Sequence, residues 1–117
     1  MKMAIRIQVS NPALLLRDIQ EHIDKGIIPV WQYDSDDDYY METESGEILA
    51  WFTPYYIGEK EVILGIIGSN ASMISKEVYS LYHSEFINIL LRFYNKDISK
   101  IELIIHDNHF DTTDIER

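Results

Sequence analysis

The sequence contains no cysteine and has few basic residues. Without cysteine the chain forms no disulfide and offers no thiolate for catalysis or metal binding. Lysine and arginine together number 10 against 20 aspartates and glutamates, so the formal net charge of the 117 residues is −10. Nucleic acids and anionic membrane surfaces are both bound through clustered basic side chains. We therefore predict that neither a nucleic acid nor a membrane is a partner.

Long hydrophobic runs are also missing. The longest strongly apolar run, from Val62 to Gly68, is far shorter than the ~20 residues of a membrane-spanning helix. The segment from Met1 to Ser10 lacks the apolar stretch of a secretory signal, so we expect a cytoplasmic protein. Length and 46% hydrophobic content suit a single domain over residues 1–117, with residues 106–117 as a frayed polar tail.

Two segments have the spacing of amphipathic helices. The first, predicted over residues 12–25, begins with Asn11 as its cap and Pro12 at its first position, and ends at Gly26. The second, predicted over residues 76–95, follows a serine cap and carries a broad apolar stripe. Phe86 and Leu90 lie in that stripe, so both side chains should be nearly fully buried.

Strand patterns occupy the rest of the chain. Residues 4–9 alternate between apolar and polar side chains, as a half-buried strand does. Further strands are predicted at 27–33, 39–43, 48–53, 62–67 and 101–105. The strand at 48–53 is expected to end at Pro54, unless residues 55–57 extend it past a bulge. The resulting order is β-α-β-β-β-β-α-β. It predicts an α+β fold, a two-layer sandwich with a mainly antiparallel sheet and two helices packed on one face.

Acidic and aromatic residues are concentrated in the middle of the chain. Residues 26–59 contain eight acids, no lysine or arginine, and seven tryptophans or tyrosines. Such a segment is either a solvated hairpin or a docking face, in which carboxylates steer a basic protein and aromatic side chains anchor it. The predicted partner-binding residues are Asp34, Asp36, Asp37, Asp38, Tyr39, Tyr40, Glu42 and Glu44.

The same acids resemble the start of a calcium-binding loop, D-x-D-x-D. The pattern then fails, because the sixth position is Tyr39 instead of glycine and the twelfth is Ser45 instead of glutamate. His106 and His109 are also possible ligands, but their H-x-x-H spacing at a strand end divides them between two faces. We therefore predict no metal and no cofactor.

Catalytic motifs are not apparent either. The sequence has no nucleophile elbow and no phosphate-binding loop, and no serine at a strand-to-helix turn stands beside an evident base. His83, on the second helix, is expected to make a structural hydrogen bond. We predict no catalytic residues and a protein that is not an enzyme.

Three functions stay open. The favoured one is an inhibitor of the immunity or antitoxin type, which neutralises a basic partner such as a toxin nuclease by occupying its active-site or substrate-binding face. The second is a non-catalytic subunit or adaptor of a larger assembly. The third is a small-ligand protein or enzyme with a site between the second helix and the sheet, where His83 and Tyr79 would supply polar groups.

Overall fold

The computed structural model describes residues 2–69, 74–105 and 110–113. The elements, in chain order, are β1 (Ala4–Val9), α1 (Pro12–Asp24), β2 (Trp31–Tyr33), β3 (Tyr39–Met41), β4 (Ala50–Tyr56), β5 (Glu61–Gly68), α2 (Lys76–Phe93) and β6 (Ile98–Ile104). This is the predicted order, β-α-β-β-β-β-α-β. Neither helix is long and apolar enough to cross a membrane, within the residues described.

The six strands form one antiparallel sheet in the order β2-β3-β4-β5-β1-β6. The N-terminal strand β1 lies inside the sheet, between β5 and β6. The two edges are therefore β2, which has three residues, and β6, which has seven.

Both helices pack on one face of this sheet, and their apolar side chains form a single core with it. Phe86 of α2 contacts the rings of Tyr39 and Phe52, while Leu16 of α1 accepts a hydrogen bond from the Tyr39 hydroxyl. The α+β sandwich is thus confirmed. Phe86 and Leu90 are fully buried, as predicted.

Both predicted N-terminal caps, Asn11 and the serine before the second helix, are confirmed. The side chain of Asn11 accepts a hydrogen bond from the backbone N–H of Leu14, and that of Ser75 from Val78. Each cap satisfies one backbone donor that the first helical turn leaves free. The helices end at Asp24 and Phe93, slightly earlier than predicted.

Strand β4 runs through Pro54 to Tyr56 in an unbroken register, so the prediction that it ends at Pro54 is wrong. The alternative, an extension over residues 55–57, is correct as far as Tyr56, but without the expected bulge. Ile57 donates its backbone N–H to Glu61 of β5, and Ser69 donates to Leu49. Ile57 and Leu49 flank β4, and both direct their backbone groups toward β5, so the odd-numbered residues between them do the same. The nitrogen of Pro54 therefore points the other way. On that side, Pro54 lies beyond the end of β3 at which Tyr39 stands, since the one pairing between β3 and β4 is Tyr39 with Phe52. The missing N–H therefore costs no ladder hydrogen bond.

The predicted frayed tail is contradicted at residues 110–113, which pack against the sheet. Thr112 donates its backbone N–H to Ile66, and the backbone of Phe110 lies over Gly65. The buried Asp111 carboxylate accepts from the backbone N–H groups of Met3 and Thr113. These bonds join the C-terminal segment to the start of β1 and the end of β5. His106 and His109 lie outside the described residues.

Candidate functional site

The acidic residues follow the β2–β3 edge of the sheet, in two groups at the two ends of β3. We call Asp34, Asp36, Asp37, Asp38, Glu42, Glu44 and Glu47 the acidic edge. The four aspartates form the turn before β3 and the three glutamates follow it. The three residues of β3 span only ~10 Å, so both groups can contact one partner.

The aspartate turn is organised by the side chain of Asp34. Its Oδ1 accepts hydrogen bonds from the backbone N–H groups of Asp36 and Asp38, at 3.0 and 3.1 Å. Its own backbone N–H donates to Asp38 and its carbonyl accepts from Asp37. Asp37 has a φ of 62°, a conformation that aspartate adopts more readily than most residues. The geometry holds Asp36 and Asp37 exposed at the tip.

Carboxylate oxygens of Asp34, Asp36 and Asp38 lie within 4.8 Å of one another. Burial raises the pKa of Asp38; the Thr53 hydroxyl acts in the opposite direction, and the charges of the three neighbouring aspartates raise the pKa further. Such a cluster could offer a cation three oxygen ligands, whereas Ca²⁺ takes six to eight. The turn joins two antiparallel strands and lacks the glycine and the glutamate of a calcium loop. That the protein binds no metal remains a prediction.

Unneutralised charge is the main electrostatic feature of this edge. In the described part of the chain, the ion pairs are Arg6 with Glu61, Arg6 with Glu102, and Lys100 with Glu102. All of them lie on β1, β5 and β6, at the other side of the sheet. No carboxylate of the acidic edge pairs with a described basic side chain, and the hydrogen bonds that Asp37 and Glu42 accept come from neutral glutamines.

Six of the eight predicted partner-binding residues lie in this edge. Asp36, Asp37, Glu42 and Glu44 are exposed, and Asp34 and Asp38 are half-buried. Tyr40 is half-buried next to them. The structure thus brings the predicted carboxylates and one predicted aromatic residue to a common edge.

Tyr39, however, is not a surface anchor, and this prediction is wrong. Its side chain is fully buried; its hydroxyl donates to the Leu16 carbonyl and accepts from the amide of Gln20. Burial raises the pKa of this hydroxyl well above its ordinary value. Tyr39 pairs with Phe52, whose side chain points toward the helices, so Tyr39 must do so too. Neighbouring side chains alternate along a strand, which leaves Tyr40 on the opposite face.

Trp51 also lies on the face opposite the helices, because it precedes the core residue Phe52. Its indole Nε1 is buried and has no hydrogen-bond partner among the described residues. Trp51 is not among the predicted partner-binding residues. The alternation A-W-F-T in β4 places Trp51 and Phe52 on opposite faces of the sheet, but it does not show which of the two faces the core. The burial of Phe52 shows it.

The polar groups proposed for a ligand site lie inside the fold. His83 and Tyr79 are each 3% exposed. The Tyr79 hydroxyl is hydrogen-bonded to Asp111, and Nδ1 of His83 lies 2.7 Å from the Tyr79 carbonyl, the structural hydrogen bond that was expected. Burial lowers the pKa of His83, which favours the neutral ring. Both side chains therefore lie in the core, His83 against the rings of Phe52 and Tyr79. Nε2 of His83 is buried and has no hydrogen-bond partner among the described residues.

An open groove of about 310 Å³ lies elsewhere, between α2 and the segment that leads into β2. Its lining includes Val30, Met41, Leu81 and Glu85. Val30 and Leu81 are 48% and 45% exposed, and Val30 has a φ of 77°, which is strained for a β-branched residue. The carbonyl of Val30 accepts the backbone N–H of Glu42, which places this apolar groove beside the acidic edge.

Comparison with known proteins gives no match: no family model, no curated protein and no solved structure is significantly similar to the chain.

Proposed function

We propose that the chain is a protein-binding inhibitor of the immunity or antitoxin type, which neutralises a basic partner by covering its active-site or substrate-binding face. The observation that carries this proposal is the acidic edge. Its seven carboxylates are gathered along β3, and no described basic side chain pairs with them. Packed like charges repel one another, so their concentration is a cost that a basic partner would offset.

The chemistry of the partner follows from the sign and density of this charge. An enzyme that cleaves nucleic acid must present lysine and arginine side chains to the phosphate backbone. A row of carboxylates can occupy the same surface and keep the phosphates out. Opposite potentials also accelerate encounter, which suits an inhibitor that must reach a toxic enzyme before its substrate does.

The aromatic contribution to this interface is assigned to Tyr40. It lies beside the acidic edge, on the face opposite the helices, and is half-buried in the free protein. Tyrosine is favoured in the centres of interfaces, since it combines a large apolar ring with a hydroxyl. Tyr40 therefore takes the anchoring role that the buried Tyr39 cannot have.

The remaining parts of the proposal are a cytoplasmic location, no catalytic activity and no cofactor. Two side chains that were candidates for chemistry, His83 and Tyr79, are 3% exposed, and each makes a hydrogen bond within the fold, although Nε2 of His83 has no partner among the described residues. This supports a binding function over an enzymatic one.

A subunit or adaptor of a larger assembly is the second candidate. The exposed aliphatic side chains of the groove, Val30 and Leu81, favour it, because permanent interfaces are more apolar than transient ones. In that case the groove, and not the acidic edge, would carry most of the binding energy.

Affinity capture separates the two candidates. The immobilised chain is incubated with lysate of its source at low salt, eluted with increasing NaCl, and the eluted proteins are identified by mass spectrometry. We expect a basic protein that elutes early in the gradient and is displaced by heparin, a polyanion that mimics the phosphate backbone. A neutral or acidic protein that withstands high salt and heparin would contradict the inhibitor proposal and favour the adaptor.

A further inference from the structure

Strand β6 forms the longer open edge of the sheet. It pairs with β1 on one side, and no described strand pairs with it on the other. Leu103, on this strand, is 39% exposed, and Ile105, just after it, is 54% exposed. An edge strand of seven residues with exposed apolar side chains is a template for pairing with another chain.

The outward-pointing backbone groups of β6 follow from the hydrogen bonds of its neighbour. Val9 of β1 donates its backbone N–H to Lys60, so the odd-numbered residues of β1 point toward β5. The even-numbered residues of β1 therefore point toward β6, where Arg6 pairs with Glu102 and Gln8 with Lys100. Ile101 and Leu103, the alternate residues of β6, then direct their N–H and C=O groups away from the sheet.

The charges on β6 are complementary to themselves under a two-fold rotation. If two copies pair in antiparallel orientation with Ile101 opposite Ile101, then Lys100 of each copy faces Glu102 of the other. These two positions form a non-hydrogen-bonded pair, in which side chains approach most closely. A register centred on Lys100 or on Glu102 would instead place like charges opposite each other, which destabilises pairing.

We propose that a second copy of this chain pairs with β6, around a two-fold axis at Ile101, and joins the two sheets into one. Both charged side chains are accessible to a partner, since Lys100 and Glu102 are 56% and 43% exposed and the ion pair between them within one copy is long, at 3.9 Å. Glu102 also pairs with Arg6, but through Oε1, which leaves Oε2 for Lys100 of the second copy. The dimer covers part of Leu103. The acidic edge lies at the opposite side of the sheet, so each copy keeps its own edge free, and the dimer does not depend on the proposed inhibitor function.

Light scattering coupled to size-exclusion chromatography tests this inference. The wild-type chain should elute at twice its 13.8 kDa mass, and dissociate only on dilution. Lys100→Glu places Glu opposite Glu at both sites and should raise the dimer dissociation constant by about tenfold or more. The double variant Lys100→Glu with Glu102→Lys restores opposite charges between the copies and should recover the dimer. Because it also removes the Arg6–Glu102 ion pair, its thermal melting is measured beside that of the single variant Glu102→Lys, which should be monomeric. Lys96→Glu makes the same charge change on an exposed residue outside β6, and should remain dimeric.

A backbone variant supplies an independent test. Leu103→Pro removes an N–H group that points outward, so it spares the β1–β6 ladder while it blocks pairing with a second copy. We expect a folded monomer, with thermal melting measured by circular dichroism as the check of folding. A wild-type chain that is monomeric at every concentration would overturn the proposal. A dimer that survives both Lys100→Glu and Leu103→Pro would overturn it as well, because another surface would then hold the copies together.

Discussion

The carboxylates of the β2–β3 turn differ in what they do for the folded chain. Asp34 accepts two backbone hydrogen bonds and so shapes the turn. Asp36 projects into solvent, and no described group donates a hydrogen bond to its carboxylate. The sequence D-S-D-D-D does not distinguish these roles, since any of its aspartates can cap a turn. A substitution at Asp36 therefore changes charge alone, whereas one at Asp34 also removes hydrogen bonds of the turn.

Replacing Asp34 should destabilise the protein, whereas replacing Asp36 should not. Asp34→Ala leaves two backbone N–H groups of the turn without their acceptor, at a cost of about 1 kcal/mol because the site is partly solvated. Asp36→Ala should change the free energy of unfolding by less than about 0.5 kcal/mol. Urea unfolding of both variants measures the difference. Equal stabilities would show that the Asp34 hydrogen bonds contribute nothing net.

Asp38 should make stability depend on pH. Its pKa is raised in the folded state, mainly by burial, so the folded protein holds this proton more tightly than the unfolded chain does. The ionised carboxylate therefore lowers stability at neutral pH, and that loss disappears as the pH falls through the raised pKa. Asp38→Asn should be more stable than wild type at pH 7, and the advantage should vanish below the ordinary value of 3.8. Urea midpoints across this range provide the test, and a constant difference would contradict it.

At the scale of elements, local sequence signals located both helices and the order of strands. Caps at Asn11 and Ser75 and the apolar spacing were sufficient, because these signals are read within one or two turns of chain. Such local signals do not predict the register of the strands. It depends on which residues face each other across the sheet, and that decided the burial of Tyr39, the tolerance of Pro54 and the packing of residues 110–113.

The packing of α2 gives a direct prediction. Phe86 is fully buried between the rings of Trp31, Tyr39 and Phe52, whereas Leu91, on the outer side of the helix, is 55% exposed. Phe86→Ala should cost about 3–5 kcal/mol, by lost burial and by the cavity it leaves. Leu91→Ala should cost less than about 0.5 kcal/mol. Denaturant unfolding of the two variants checks the orientation of the helix, and similar losses for both would show that the assigned face is wrong.

The packing of residues 110–113 gives a further prediction, because these residues lie against two glycines of β5, Gly65 and Gly68. A Cβ at Gly65 would meet the backbone of Phe110, whereas a Cβ at Gly68 would be in ordinary contact with Thr113, at 3.6 Å. Gly65→Ala should therefore displace residues 110–113 and cost about 1–3 kcal/mol, as overpacking does. Gly68→Ala is the matched control and should be tolerated. Melting temperatures and amide exchange at Thr112 report the effect; an unchanged Thr112 amide in Gly65→Ala would mean that the segment does not rest on β5.

At the scale of the whole molecule, charge is distributed unequally across the sheet. The described ion pairs lie on β1, β5 and β6, while the acidic edge at β2 and β3 has none. Composition alone predicted a surplus of negative charge, and the acid-rich segment predicted roughly where it would lie. The separation of paired from unpaired charge depends on strand order, which brings the first and last strands together, far from the acidic hairpin.

The rate at which a captured partner associates tests the proposed role of the acidic edge most directly. One variant reverses three exposed acids of the edge whose carboxylates accept no described hydrogen bond: Asp36→Lys, Glu44→Lys and Glu47→Lys. Its control makes the same change in charge at exposed acids away from the edge: Glu59→Lys, Glu77→Lys and Asp97→Lys. Both are measured by surface plasmon resonance over a range of NaCl concentrations, after circular dichroism has shown that they fold.

The edge variant should associate at least about tenfold more slowly than wild type at low salt, and the gap should narrow as salt screens the charges. The control should retain most of the wild-type rate, although its total charge is the same as that of the edge variant. If both variants slow association equally, only net charge matters and the acidic edge is no docking surface. If neither does, the partner binds through another face.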